Sequence, residues 1–270
     1  MRALRFDLHA AGVLGPGLGS LDDLRAACRS GGLHGAALPA LPSPSWLPAN
    51  ERRRATTVVR LTLGCIEQAL ATGPFAADAV RTVFATDEGT GEVCQQMLEA
   101  LATTRQVSPL LFANSVLNAP SGYFSIGHKN RRSATVVSAG LESFASGLLC
   151  AVTEAQVTGE PVLLVAYDPA MTAPIDEVLP IVEPMATAWM LSVNADSAPP
   201  SLATFTVEAA AAQAATGAPL PPWLPSRWAH YSSARGLAAL GLLESGENAD
   251  CQLTLGGLAL TLKCKRSAGQ

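Results

Sequence analysis

The side chains able to carry covalent chemistry are scattered along the chain. The six cysteines, Cys28, Cys65, Cys94, Cys150, Cys251 and Cys264, show no CxxC pair and no regular spacing. Neither a zinc site nor a disulfide framework is signalled, and free thiols in a reducing compartment are expected. Ser138 and Ser143 stand where nucleophiles could, but no His–Asp relay for either can be identified. Cys150 falls inside a helical pattern, past its first turn, where a thiol cannot draw on the helix N-terminal dipole. Gly15, Gly17 and Gly19 suggest a phosphate loop, yet their spacing is not GxGxxG and no lysine closes a Walker sequence.

The elements around these residues are more informative. Residues 108–168 run from a polar, glycine-containing approach into a short β-branched stretch, Ala134–Val137. A turn through Ser138, Ala139 and Gly140 leads into an amphipathic helix, and a second apolar run covers 161–166. Phe144, Leu148, Ala151, Val152 and Ala155 recur at the spacing of one buried helix face. A strand entering a helix through a tight turn of small residues exposes a side chain and aims the helix N–H groups at developing negative charge. That is the architecture of a nucleophile site, but no cysteine lies between Ser138 and Leu149.

Bulk composition limits the possibilities. The chain has 270 residues, enough for one large domain or two small ones. With 49% hydrophobic and 15% charged residues and a net charge of −4, it reads as a well-buried globule, neither disordered nor nucleic-acid-binding. Abundant Ala, Leu and Val suit an α/β protein with buried strands, and so little charge favours a subunit over a free monomer. Asp7 and His9 interrupt any signal-peptide core, and no run approaches a membrane span, so a cytoplasmic protein is expected.

In chain order, residues 2–8 read as an opening strand, followed by a glycine-marked loop from Gly12 to Gly19. Ser20 is placed to cap a helix through Arg29, and residues 31–50 form a loop punctuated by Pro39, Pro42, Pro44 and Pro48. Arg52, Arg53 and Arg54 are followed by a helix to about Ala71, striped by Val59, Leu63, Ile66 and Leu70. The three arginines read either as a solvated helix entry or as a positive patch for an acidic partner. A strand over 80–85 and a helix over 92–103 follow, and a proline-rich loop after Asp168 leads to a strand over 186–193. Residues 194–200 look like a boundary; Ala203, Phe205 and Val207 alternate as a strand, and an Ala-rich helix start lies within 209–232. Near the C-terminus, Cys251, Leu253, Leu255 and Leu258, Leu260, Leu262 flank Gly256-Gly257, the preferred chemistry of a two-residue hairpin.

SPLLFANSVLNAPSGYFSI, the strand, SGL, and a helix ending before GEPVLLVAYD together resemble the N-terminal half of a β-ketoacyl-acyl-carrier-protein synthase, of the thiolase superfamily. The resemblance implies an α/β fold with a thiolase-like half, a mixed five-stranded sheet between helices, over residues 1–195. Residues 196–270 would be a shortened, strand-rich C-terminal remnant packed on it, with a hairpin over 251–264. Active members carry a cysteine on the strand-to-helix turn just ahead of a Ser-Gly-Leu-like tripeptide. Read back from Ser146-Gly147-Leu148, that position is Phe144; read forward from Asn118, it falls nearer Leu141. The HGTGT-like and NHxF-like segments that carry the family's histidines are absent, and His230 is the only histidine after Asp168. The chain is most similar to the short chain-length-factor subunits of aryl-polyene-type systems.

That likeness implies a catalytically silent subunit that pairs with an active ketosynthase and shapes its acyl tunnel. Ala134, Thr135, Val136 and Val137 would form the dimer strand, Leu111 and Phe112 would line the partner's tunnel, and Phe144 would fill the lost nucleophile position. Asn118 and Gly122 match the family's Asn-x-x-x-Gly helix, in which the glycine allows close packing. Arg105, Lys129, Arg131 and Arg132 are the candidates for contact with an acidic carrier protein. No cofactor or metal of its own is expected; the chain would act with a phosphopantetheinylated acyl carrier protein. The alternatives are a pure stabilising scaffold for the ketosynthase, or an independent acyltransferase using a serine or Cys150.

Overall fold

The computed structural model describes residues 3–193, 199–211, 219–246 and 249–267. The strands are β1 (Leu4–Leu14), β2 (Arg81–Ala85), β3 (Ala134–Val137), β4 (Val162–Asp168), β5 (Met185–Ser192), β6 (Ala203–Ala211), β7 (Asp250–Leu255) and β8 (Leu258–Arg266). The helices are α1 (Leu21–Ser30), α2 (Ala49–Arg54), α3 (Thr57–Thr72), α4 (Gly91–Thr103), α5 (Pro109–Asn114), α6 (Ala119–His128), α7 (Ser143–Thr158) and α8 (Ser232–Leu240). All strands join one sheet in the order β3-β2-β4-β5-β1-β6-β8-β7. β3, β2 and β4 are parallel, and β5 runs antiparallel to both β4 and β1. These five strands are the mixed sheet expected from the sequence. The last three extend it antiparallel through β6, which pairs with β1.

β4 and β5 are buried along their whole length because helices cover both faces. Side chains alternate between two cores: Leu164, Trp189 and Leu191 pack towards α7 and α8, whereas Leu163, Val165 and Met190 pack towards α3 and α6. β1 manages the same alternation with a bulge between Leu8 and Ala10. The extra residue returns Ala11 and Val13 to the face already used by Phe6 and Leu8.

Three local expectations change. β1 runs through Gly12 instead of ending near residue 8, because α3 lies so close that a Cβ on Gly12 would collide with the Cys65 carbonyl. The helix expected after the three arginines is α3, and the arginines themselves end a separate short helix, α2, since Ala55 and Thr56 turn extended and Thr56 Oγ1 caps α3 by accepting the Val59 N–H. Residues 209–211, read as a helix start, continue β6 by pairing with Leu260, Ala259 and Leu258, so the sheet ladder overrides alanine's helix preference. Most of the expected 194–200 boundary lies outside the described residues. The turn between β7 and β8 is Gly256-Gly257, with φ of 56° and 79°, the conformation of a type I′ hairpin.

Candidate site at the strand-to-helix turn

The turn after β3 is stitched to the end of β2. Ser143 Oγ accepts the Ala139 N–H at 2.8 Å and lies 2.7 Å from the Gly140 carbonyl and 3.0 Å from that of Thr86. Ser138 Oγ donates to the Asp87 carbonyl at 2.7 Å. Both hydroxyls are spent on holding backbone, and neither has a histidine partner. Gly140 adopts φ of 58°, which lets the chain reverse into α7.

Phe144 stands second in α7 and is completely buried. Its ring lies 5.4 Å from that of Trp189, and a Cβ on Gly236 would come within 2.8 Å of it, so α8 packs directly over the phenyl group. The Phe144 N–H donates to Ser232 Oγ at 2.7 Å. At a helix start this N–H is the natural donor to an oxyanion; here a side chain from the C-terminal segment occupies it. A space of about 10 Å³ lies beside Leu141 and Ala145, between α7 and β7. Leu141, the other register for the lost nucleophile, is half-buried at the rim of that space.

Asp168, at the end of β4, fixes α8 over the turn. Its Oδ2 accepts the Ser233 N–H at 2.7 Å and the Ser233 hydroxyl at 2.6 Å. Oδ1 lies towards the Asp87 backbone without closing a hydrogen bond. Complete burial pushes this carboxyl up to about 6, and the two Ser233 donors only partly offset that. Asp87 is raised as well, by desolvation. The hairpin tip completes the cover, with the Gly256 N–H donating to Glu142 Oε2 at 2.9 Å. Ser232, Ser233 and Asp168 escaped the sequence reading because they meet across 65 to 88 residues; an acid closing an apolar strand run was the one available signal.

Cys150 lies half-buried in the middle of α7, 3.8 Å from Glu154, and burial followed by that carboxylate raises its pKa. It is a thiol facing an acid, the reverse of an activated cysteine. His230 is exposed in a 3-10 turn. Among the described residues no group of His, Cys, Asp and Glu could hold a metal ion, and no helix is long and apolar enough to cross a membrane.

A different surface is open. Ser108 caps α5 by accepting the Leu110 N–H, and Asn114 ties the helix down by accepting from Tyr123 Oη at 3.1 Å. Leu111 is half-buried and Phe112 is 65% exposed, alongside exposed Leu98, Leu101, Leu110 and Val116. β3 is the edge of the sheet, paired with β2 on one side only; Ala134 is exposed and Thr135, Val136 and Val137 are half-buried. Of the four cations named from the sequence, Arg105, Lys129 and Arg131 make no ion pair among the described residues. Arg132 is bound to Glu160, which also holds Arg81 at 3.0 Å. A Cβ on Gly122 would meet nothing within 4 Å, so within this chain that glycine does not serve close helix packing.

A family description, the N-terminal domain of beta-ketoacyl synthases, matches residues 32–233, most of the chain. No curated protein matches. Among solved structures, a ketosynthase in complex with its chain length factor from Xenorhabdus doucetiae superposes with a TM-score of 0.72 at 23% identity, covering 96% of this chain and 99% of that one. The ishigamide ketosynthase/chain length factor gives 0.73 at 12% identity, over 97% and 99%. A type II polyketide synthase acyl-carrier protein in complex with its ketosynthase gives 0.75 at 12% identity, over 98% and 100%. These likenesses show a thiolase-like ketosynthase fold.

Proposed function

The chain belongs to the β-ketoacyl synthase N-terminal-domain family, and from that premise we propose that it is a non-catalytic, chain-length-factor-type subunit. It pairs with an active ketosynthase and shapes the tunnel in which that partner's cysteine elongates an acyl chain delivered by a phosphopantetheinylated carrier protein. The observation that carries the reading is the sealed turn. Phe144, one of the two registers for the lost nucleophile, is completely buried at the start of α7, and Ser232 takes the helix-start N–H that an oxyanion would need. A protein that has filled its own site can act in this reaction only through a partner.

The surfaces support the same reading. β3 presents unsatisfied backbone groups on its outer side, and an edge of that kind calls for a second strand. Phe112 is 65% exposed on α5, open to a neighbour's cavity, and Leu111, next to it in the chain, is half-buried. The floor of an acyl tunnel works sterically: a bulky side chain stops growth and a smaller one permits it. The test is co-production with the ketosynthase, followed by product analysis. Leu111→Ala or Phe112→Ala should lengthen the products of an intact complex. Unchanged length would leave only the scaffold role, and a stable acyl adduct on this chain, seen by intact mass, would overturn the silent assignment.

A further inference from the structure

β1 has a strand on both sides for only part of its length. β5 follows it from Asp7 to Leu14, whereas β6 stops pairing at Leu8, where the Leu202 N–H donates to the Leu8 carbonyl at 2.7 Å. The sequence dictates the break. Pro199 and Pro200 stand just ahead of β6 and carry no N–H, so they cannot continue its ladder along β1. The His9 imidazole holds this segment in place. Its Nδ1 lies 3.1 Å from the Pro200 carbonyl, which can only accept, so Nε2 accepts the Ser192 hydroxyl at 2.9 Å.

The gap left beside β1 is a cavity of about 770 Å³ between α1, α3 and residues 200–202. Its polar side chains are already engaged. Gln68 accepts the Val13 N–H at 3.0 Å and donates to the Gly19 carbonyl at 2.9 Å. Ser20 caps α1, Thr72 donates to the Gln68 carbonyl, and Arg25 lies 3.3 Å from Asp22 and 3.4 Å from Glu244. Ala11 is the exception. The Val13 N–H points away from β5, and two residues earlier in a strand the backbone points the same way. The Ala11 N–H and carbonyl therefore face the cavity, and no described residue pairs with them on that side. A backbone donor and acceptor on a residue only 4% exposed call for a partner.

We propose that this cavity is a binding site for an extended, uncharged peptide segment of another protein, which adds to β1 as the strand that β6 does not supply. A donor and an acceptor on one residue match the carbonyl and N–H of one residue in an added strand. The apolar walls, Leu21, Ala71, Pro200 and Leu202, suit small apolar side chains. The lining charges, Arg25 and Asp22, balance each other, so the cavity complements a neutral chain better than a charged one. It lies four strands from β3 in the sheet order, so a peptide bound there does not compete for the β3 edge.

The test follows the Ala11 amide of the full, isotopically labelled chain by NMR. Without peptide it should exchange with solvent about tenfold or more faster than the amides of Ala10 and Gly12, which face β5. Acetyl-Val-Ala-Val methyl ester at millimolar concentration should shift the Ala11 resonance and slow its exchange. The same peptide with all its backbone nitrogens methylated cannot donate to the edge and should bind about tenfold more weakly. Ala71→Trp fills the cavity from an exposed position in the last turn of α3, and should abolish binding with the unfolding midpoint unchanged. An Ala11 amide as protected as its neighbours in the free chain would overturn the proposal. So would equal binding of the methylated peptide, unchanged binding to Ala71→Trp, or no response to the peptide at all.

Discussion

The turn after β3 and the outer surface of α4 and α5 are connected by short segments, yet they are built in opposite ways. At the turn the reactive-looking groups are spoken for: Ser143 and Ser138 hold backbone, Phe144 packs on Trp189, and Ser232 and Asp168 clamp α8 above them. On α4 and α5, Leu98, Leu101, Leu110 and Phe112 face outward, each between 43% and 65% exposed. A lone globule would bury such a surface, and a working enzyme would keep such a turn open. Both departures fit the proposed role, in which a subunit that no longer reacts keeps its fold and directs its apolar surface at the protein that does.

The largest effects should come from reopening the closed region. Phe144→Ala removes a completely buried ring between Trp189 and Gly236, so the free chain should lose about 3–5 kcal/mol in urea unfolding. Phe144→Cys places a thiol at one of the two registers for the lost nucleophile and should still form no acyl adduct with an acyl donor in intact-mass analysis. Its backbone N–H remains bound to Ser232 and no histidine faces it. An adduct on the cysteine variant would show that the closure is only as deep as one side chain.

Much of the fold was legible because it rests on periodicity. The fully apolar run of β4 reads as a strand buried on both faces, and the stripe on α7 reads as a helix over it. Ser20, which accepts the Asp23 N–H, was visible as a cap from its residue type alone. The closing of the site was not legible. Its clamp joins Asp168 to Ser233 and Phe144 to Ser232, and a hydrogen bond between distant residues leaves no local pattern. Charge pairing was hidden for a related reason. Arg132 looks as available as Arg53 in sequence, and only the structure brings Glu160 to the first and leaves the second open.

A moderate effect tests the clamp through its titration. Asp168 is raised to about 6 in the folded chain by complete burial, against an unfolded value near 4. Its neutral form is therefore the one folding favours, so the stability it supports is full below about pH 4 and is lost as pH rises through about 6. The loss is at most on the order of 2–3 kcal/mol. Asp168→Asn keeps an oxygen for the Ser233 donors and carries no charge, so this pH 4–6 decline should shrink and the variant should match or exceed wild-type stability at pH 8. A decline that persists unchanged in the asparagine variant would assign it to another group. Asp168→Ala, which strands both Ser233 donors, should destabilise by about 1–3 kcal/mol below about pH 4, and its deficit relative to wild type should shrink as pH rises through about 6.

The smallest effect lies on the open surface and separates the two regions most directly. Phe112 is 65% exposed in the chain alone, so Phe112→Ser removes little buried area and should leave unfolding of the free chain within about 0.5 kcal/mol of wild type. The same substitution should make the free chain less prone to self-association in light scattering, since an exposed aromatic group beside Leu110, Leu98 and Leu101 favours nonspecific contact. In the ketosynthase complex the order of sensitivities should reverse. Phe112→Ser there should alter product length or pairing, while a small cavity-forming change at the sealed turn, such as Leu148→Val, should lower stability without touching the product. If Phe112→Ser destabilises the free chain as much as a core substitution does, α5 belongs to the closed region and the contrast between the two surfaces fails.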